Sequence, residues 1–443
     1  MASYMHRRKI NMTPPQILAL SFLAVIAAGT LLLLLPVSAV EPVSFTDALF
    51  TAVSATTVTG LIVLDTGTVY TIFGQVVIMI LIKIGGLGLL TVAMMIVILL
   101  GKKIGLKERL RIQQSFNQTS IGGMVKLVKV LFIFSVCMEA LAAALLAIDW
   151  VPEYGWRYGL FTSLFHSISA FNNAGFSLWS DGLTKYVGDP LVNVIITSLF
   201  IAGGIGFTVL YDVIEKKRFK SLQVHSKIMI VGTLIINASA AIIIFLLESN
   251  NPGTMASLSL GDKLWASYFQ AVTPRTAGFN SVDITQIEPG TALLMSLLMF
   301  IGGGSASTAS GIKLTTVIVI IWAVITFFKG EEEPVLFKRS VPQAVIARSF
   351  IITVTSLMLV FTGLFLLTLT EQAPFLVILF EVFSAFGTVG LSMGLTYELT
   401  EPGKYVIMLL MFFGRIGPLT IVFALARTEK SNVRYPRADI YTG

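Results

Sequence analysis

Cysteine is almost missing: the 443 residues hold one, Cys137, so neither a disulfide framework nor a thiolate metal site can be built. Histidine is nearly as scarce. His6, His166 and His225 are scattered and show no metal-ligand spacing. No stretch carries a His/Glu metal pair or a nucleophile and base constellation, which argues against an intramembrane enzyme and leaves no catalytic residue to name. Charge is the third shortage. Asp, Glu, Lys and Arg make up 12% of the chain against 55% hydrophobic residues, whereas a soluble domain is about 45–50% apolar. The chain is therefore read as an integral membrane protein.

What is present is a set of long apolar runs. Spans are expected near 16–36, 71–100, 126–148, 191–214, 228–247, 291–328, 344–369 and 404–426, each meeting the roughly 20 residues that a bilayer crossing requires. Between the members of each pair lies a shorter apolar segment of about 10–14 residues, which reads as a re-entrant half-helix. The first span is too long for a signal-peptide core and is not closed by a small-residue cleavage site.

The net charge of +7 and pI of 9.3 follow from where the basic residues lie. Arg7, Arg8 and Lys9 precede the first span, and Lys102, Lys103, Lys107, Arg109 and Arg111 follow the second. Lys216, Lys217, Arg218 and Lys220 follow the fourth, Lys329, Lys338 and Arg339 the sixth, and Arg427, Lys430, Arg434 and Arg437 the eighth. The alternate loops carry Asp65, Asp149, Glu153, Asp181, Glu248, Asp283 and Glu398 instead. That bias puts both termini and the three basic loops in the cytoplasm. Topology accounts for the charge, and nucleic-acid binding is not needed to explain it.

Four glycines, Gly60, Gly175, Gly278 and Gly390, recur at intervals of 103–115 residues. Each is followed by Leu or Phe. Ten residues before them stand Phe50, Phe165, Tyr268 and Phe380, and five before them Ala55, Ala170, Thr273 and Ala385. A recurrence of that length points to a repeated unit, divided as 1–112, 113–222, 223–340 and 341–443. The runs are Thr57-Val58-Thr59-Gly60, Asn172-Asn173-Ala174-Gly175, Arg275-Thr276-Ala277-Gly278 and Gly387-Thr388-Val389-Gly390. One such glycine alone is explained by close helix packing. Four copies, each between two spans, favour re-entrant loops around one axis, because non-helical backbone at membrane depth must be buried in protein or line water. Their carbonyls would replace the hydration shell of a monovalent cation, and the half-helix C-termini would favour a cation over an anion.

The unit of span, pore loop and span, repeated four times with one filter glycine each, resembles the Trk/Ktr/HKT superfamily of potassium transporters over nearly the whole chain. Its eight-span length is most similar to the membrane subunits of bacterial Ktr systems. The resemblance implies an all-α membrane protein with a pseudo-fourfold pore, located in the bacterial cell membrane and conducting potassium. Gly60, where sodium-admitting members often have serine, implies potassium selectivity. Departure from the channel signature TVGYG in the other loops implies a less constrained filter with fewer ion sites. Sodium dependence, a homodimer, and a cytosolic ring of RCK subunits binding ATP or ADP are implied likewise. The chain's basic cytoplasmic loops and the tail after Arg427 would be docking surfaces. No covalent cofactor is expected, and the only metal is the transported potassium, with sodium beside it.

Gly302, Gly303, Gly304, Ser305, Ala306, Ser307, Thr308, Ala309, Ser310 and Gly311 include no large side chain and several poor helix formers, so the sixth span should break there. A close helix crossing is the plainer reading of such a run; the resemblance implies a mobile intramembrane loop that closes the pore. Ile312 between Gly311 and Lys313 excludes a Walker phosphate loop. Arg415 lies mid-span, where an unpaired charge costs at least about 2.5 kcal/mol. It should face the pore, repelling a cation or holding the small-residue loop by its carbonyls, as the family's gating arginine does. Lys83 and Lys313 would snorkel or pair with Glu139 or Asp212. A sodium-coupled solute symporter is the rival reading, built on inverted repeats around a midplane pocket. A protein-conducting translocase would be expected to show about ten spans in two related halves.

Overall fold

The structure, a computed structural model, describes residues 14–88 and 124–417. The basic clusters within 7–9, 102–111 and 427–437, the far parts of the spans expected at 71–100 and 404–426, and the boundary expected at 112/113 lie outside the described residues.

The described residues are helical apart from turns, loops and one hairpin, β1 (Val335–Leu336) with β2 (Arg339–Ser340). One order of elements occurs four times. It begins with a long helix: α1 (Pro14–Leu33), α4 (Met124–Tyr154), α8 (Val224–Glu248) and α12 (Gln343–Thr370). A short helix follows: α2 (Phe45–Thr57), α5 (Trp156–Phe171), α9 (Leu260–Val272) and α13 (Phe375–Gly387). After the glycine-bearing loop comes a second apolar helix: α3 (Ile72–Leu87), α6 (Pro190–Gly204), α10 (Pro289–Phe300) and α15 (Glu401–Ile416). Between them sit α7 (Phe207–Lys216), α11 (Leu314–Phe328) and the single turn α14 (Leu395–Glu398). The four long helices are apolar and long enough to cross a membrane. Leu31, Leu246 and Phe361 on them are more than 60% exposed, a surface that lipid covers in an all-α membrane protein.

The starts of these helices are written in the sequence. Ser44 and Ser259 cap α2 and α9, each accepting from the backbone N–H of the Asp three residues on, Asp47 (3.1 Å) and Asp262 (3.2 Å). Asp189 caps α6 through the N–H groups of Leu191 and Val192. Thr71 and Thr400 cap α3 and α15.

Packing between units runs in a circle. α3 lies against α5, α6 against α9, α10 against α13, and α15 against α2, so the second helix of each unit meets the short helix of the next. Lys404 on α15 and Asp47 on α2, 2.8 Å apart, fasten the last unit to the first. Phe50, Phe165 and Phe380, three of the four aromatics ten residues before the glycines, are fully buried, while Tyr268 is part-buried.

One expected span is corrected. Residues 191–214 do not form a single helix: α6 and α7 meet at a 98° bend. Gly206 there has φ +110°, a conformation glycine adopts without penalty, and the carbonyls of Gly203 and Gly204 are taken by the N–H groups of Thr308 and Gly304. The break expected in residues 291–328 is observed, between α10 and α11.

Lys83 on α3 pairs with Glu139 on α4 at 2.5 Å, and Ser135 and Asn172 also donate to that carboxylate. Lys83→Ala would leave Glu139 buried without its cation, a loss of about 3–5 kcal/mol. A clear fall in Tm of the detergent-solubilised protein is expected, with much of it recovered in Lys83→Met/Glu139→Gln; an unchanged Tm in the single variant would refute the pairing.

Candidate functional site

Each short helix ends in the same turn. The residue two before the glycine has a left-handed backbone in all four loops: Val58 (φ 59°), Asn173 (59°), Thr276 (70°) and Thr388 (48°). The glycines follow at φ 94°, 68°, 79° and 95°. A left-handed L-residue costs roughly 1–2 kcal/mol, more for a β-branched one, so four copies in one register are a built feature.

Hydrogen bonds hold these turns and decide where the carbonyls face. In the first loop the N–H groups of Val58 and Thr59 donate to Ala55 and Ser54 carbonyls (3.2 and 2.8 Å), and that of Gly60 to the Ser54 hydroxyl (3.1 Å). A trans peptide sets C=O opposite N–H. The carbonyls of Thr57, Val58 and Thr59 therefore point away from α2. The fourth loop repeats this, with Thr388, Val389 and Gly390 donating to Ala385, Ser384 and the Ser384 hydroxyl. In the second, Asn173 and Ala174 donate to Ala170 and Ser169; in the third, Ala277 and Gly278 donate to Thr273.

The four loops close on one another. A Cβ on Gly60 would collide with the Ala174 carbonyl oxygen, one on Gly278 with that of Val389, and one on Gly390 with that of Thr59. On Gly175 it would lie 2.9 Å from Gly278 Cα. The contacts run from first loop to second, third, fourth and back to first, making a ring in which a Cβ at any of these positions would press on the neighbouring loop. All four glycines also line one cavity of about 600 Å³, with Asp181 and Asp283 among its other walls.

Sequence reasoning missed the braces of this ring. Ser54, Ser169 and Ser384 stand six residues before their glycines; Ser169 and Thr273 donate to the carbonyls of Phe176 and Phe279. The alignment on glycine that exposed the aromatics carries these hydroxyls as well. Of the expected loop residues, Arg275 contributes backbone only: its buried side chain turns to Asn237 on α8 (3.3 Å).

The chain from Gly302 to Gly311 is a non-helical loop that turns back on itself, the Gly302 N–H donating to the Ile312 carbonyl (2.9 Å). Gly304 and Thr308 donate to Gly204 and Gly203, and the Ala306 carbonyl accepts from Phe207 (2.8 Å). The Thr308 hydroxyl donates to Asn173 Oδ1 (2.9 Å), whose Nδ2 donates to the Thr276 hydroxyl (3.3 Å). Loop and ring are thus joined through one amide. Arg415 donates to the Thr308 carbonyl, to Ser310 (3.1 Å), and to the carbonyls of Gly85 and Gly86. It pairs with no carboxylate among the described residues and spans three units. Lys313 pairs with neither acid offered by the sequence but with the Ala309 carbonyl (2.8 Å) of its own loop; Asp212 instead binds Lys216.

A second alignment went unread. Gly85-Gly86-Leu87-Gly88, Gly203-Gly204-Ile205-Gly206 and Gly302-Gly303-Gly304 end the second helices of the first three units, and Gly414-Arg415-Ile416-Gly417 ends the fourth. Gly85, Gly203 and Gly414 lie against the carbonyls of Thr56, Phe171 and Phe386, each four residues before a ring glycine. Arg415 stands where the other units have glycine.

Comparison with known proteins gives one consistent picture. Residues 5–434 match the TrkH family, described as cation transport protein. The chain is 61% identical over 434 residues to "Ktr system potassium uptake protein B" of Bacillus subtilis, covering 98% of each chain. It is 45% identical to the protein of that name from Vibrio alginolyticus, covering 99% of this chain and 96% of that one. Identity is 37% to "Potassium/sodium uptake protein NtpJ" of Enterococcus hirae, covering 99% of each. Its fold is similar to the crystal structure of the potassium transporter TrkH from Vibrio parahaemolyticus, with a TM-score of 0.75 at 20% identity, covering 96% of this chain and 87% of that one.

Thr308→Val removes the hydroxyl that satisfies the buried Asn173 oxygen. A loss of about 1–3 kcal/mol is expected, read as a lowered Tm in detergent, while Thr308→Ser retains most of it. Equal Tm values for the Val variant and the parent protein would count against the link.

Proposed function

The chain belongs to the TrkH family of cation transport proteins, which makes it a potassium uptake transporter and not an enzyme, and on that premise we propose that the four-loop ring is its selectivity filter. The observation that carries the reading is the closed circle of glycines with carbonyls turned away from the short helices. Such oxygens substitute for the water around a potassium ion. α2, α5, α9 and α13 end at the ring, and their partially negative C-termini favour a cation there. Asp181 and Asp283 in the outer cavity raise the local cation concentration. The membrane potential supplies the drive, about 2.3 kcal/mol per charge per 100 mV.

Residues 302–311 form the gate below this filter, latched by Arg415. Its guanidinium opposes a cation electrostatically and holds the loop through the Thr308 carbonyl and Ser310. Four repeats divided near residues 112, 222 and 340 surround the pore, in a bacterial cell membrane with both termini cytoplasmic. A circle of four neighbours favours this over a symporter, whose inverted repeats face each other in pairs. The relatives' description as parts of a Ktr system supports a second subunit. The resemblance makes it a nucleotide-binding RCK ring beneath a homodimer, with sodium as a coupled ion. Exposed Lys217, Arg218 and Lys220 supply part of the basic surface it would dock on.

In proteoliposomes, Gly60→Ser is expected to lower the ratio of potassium to sodium permeation by about tenfold, equivalent to 1.4 kcal/mol; an unchanged ratio would remove Gly60 from the filter. Shortening residues 304–310, or Arg415→Ala, should raise potassium flux several-fold. Flux equal to that of the parent protein in both would end the gate assignment.

A further inference from the structure

Nine residues before the ring glycines stand Thr51, His166, Phe269 and Glu381. His166 and Glu381, on the short helices α5 and α13 of the second and fourth units, are ionisable and fully buried. Both reach the serine two residues past the glycine. His166 Nδ1 faces the Thr162 carbonyl at 2.9 Å, an acceptor only, so that nitrogen carries the proton and Nε2 is left to accept. Nε2 lies 3.1 Å from the Ser177 hydroxyl and 3.5 Å from the Leu178 N–H. Glu381 accepts from the Ser392 hydroxyl at 2.7 Å and, through its other oxygen, from that of Thr396.

Each serine passes the constraint on. Ser177 Oγ accepts from the Trp179 N–H (3.0 Å), and Ser392 Oγ from those of Gly394 (3.1 Å) and Thr396 (3.4 Å). The hydroxyl proton goes to the short helix and the oxygen lone pairs to the departing loop. Thr51 instead accepts from the Tyr70 hydroxyl (3.0 Å), and Phe269 has no polar group to offer. Packing alone therefore does not require a polar group at this position. A buried carboxylate is costly, and among the described residues Glu381 has hydroxyl partners and no ion pair.

We propose that Glu381 and His166 are positioning residues of the ion-selecting ring. By holding Ser392 and Ser177 they fix the chain on the exit side of Gly390 and Gly175, and with it the placement of the Val389 and Ala174 carbonyls. The second and fourth loops face each other in the cyclic order of contacts, so the pair sets one diagonal of the ring. The proposal rests on the reading of that ring as the filter.

The test is rubidium and sodium flux by the full chain in proteoliposomes, with the flux ratio as readout. Glu381→Ala and Ser392→Ala are each expected to lower the ratio about tenfold. Glu381→Gln keeps it within about threefold, because its amide accepts one hydroxyl and donates to the other. His166→Ala lowers the ratio and His166→Gln restores most of it. An unchanged ratio in Ser392→Ala and Glu381→Ala overturns the proposal, as does an equal fall in both fluxes, which marks a merely structural role. Where Glu381→Ala fails to give a monodisperse protein, Ser392→Ala decides alone. Gly60→Ser run in parallel separates the two readings. A shift there with none in the brace variants removes the braces and leaves the filter, no shift in any removes both, and a shift in the brace variants alone keeps the braces and removes Gly60.

Discussion

Backbone that leaves a helix inside a membrane has no water to satisfy it, and each orphaned group costs several kcal/mol. The four turns at the ring answer this by a division of labour. Their N–H groups fold back onto the last turn of the short helix, and peptide planarity then sends the carbonyls the other way. The left-handed residues Val58, Asn173, Thr276 and Thr388 are the cost of that reversal. Glycine follows because the neighbouring loop occupies the place of a Cβ. Cation selectivity, on the proposed reading, is thus a by-product of satisfying backbone donors and leaving acceptors free.

The same constraint explains Arg415. Where the first unit's second helix ends, the carbonyls of Gly85 and Gly86 are left short of helical donors, and the carbonyl of Thr308 lies in a non-helical loop. One guanidinium supplies donors to all three. Burying an arginine without a carboxylate is tolerable only because its five N–H groups meet carbonyl and hydroxyl oxygens in several directions. In units one to three the aligned position is glycine, which makes room for a neighbouring segment: Gly86 for Asn172, Gly204 for Asn173, and Gly303 for the Gly204 carbonyl. Replacing glycine by arginine in one unit of four turns a symmetric set of close contacts into a clasp.

Much of this was legible from spacing. The ring glycines, the aromatics ten residues ahead and the break at 302–311 announced themselves because each is a property of one segment compared with its copies. What escaped depends on a second segment. The bend between α6 and α7 lies in residues apolar enough to read as one span, and it is stabilised by carbonyl acceptance from Gly304 and Thr308, which local propensity does not contain. Lys313 looked for a carboxylate and found its own loop's carbonyl. Arg275 was grouped with the ring by position, yet its side chain leaves it. Ser54, Ser169 and Ser384 were in register all along, hidden because a hydroxyl six residues from a glycine signifies nothing until the turn that needs it is known.

Asn173 shows why ring and lower loop form one energetic system. Its side-chain oxygen accepts from Thr308 and its nitrogen donates to Thr276, with the residue 1% exposed. The two ends of one planar amide cannot be reoriented separately. Withdrawing Thr308 leaves a buried acceptor unsatisfied, at about 1–3 kcal/mol, unless the amide turns and releases Thr276, which disturbs the third loop beside Gly278. Either course charges loop displacement to the ring. Free-energy coupling is reciprocal, so the effect of the 302–311 segment on the second and third ring loops equals the effect of those loops on the segment. On the proposed reading, an ion held by the ring and the clasp at Arg415 therefore act on one equilibrium from opposite ends.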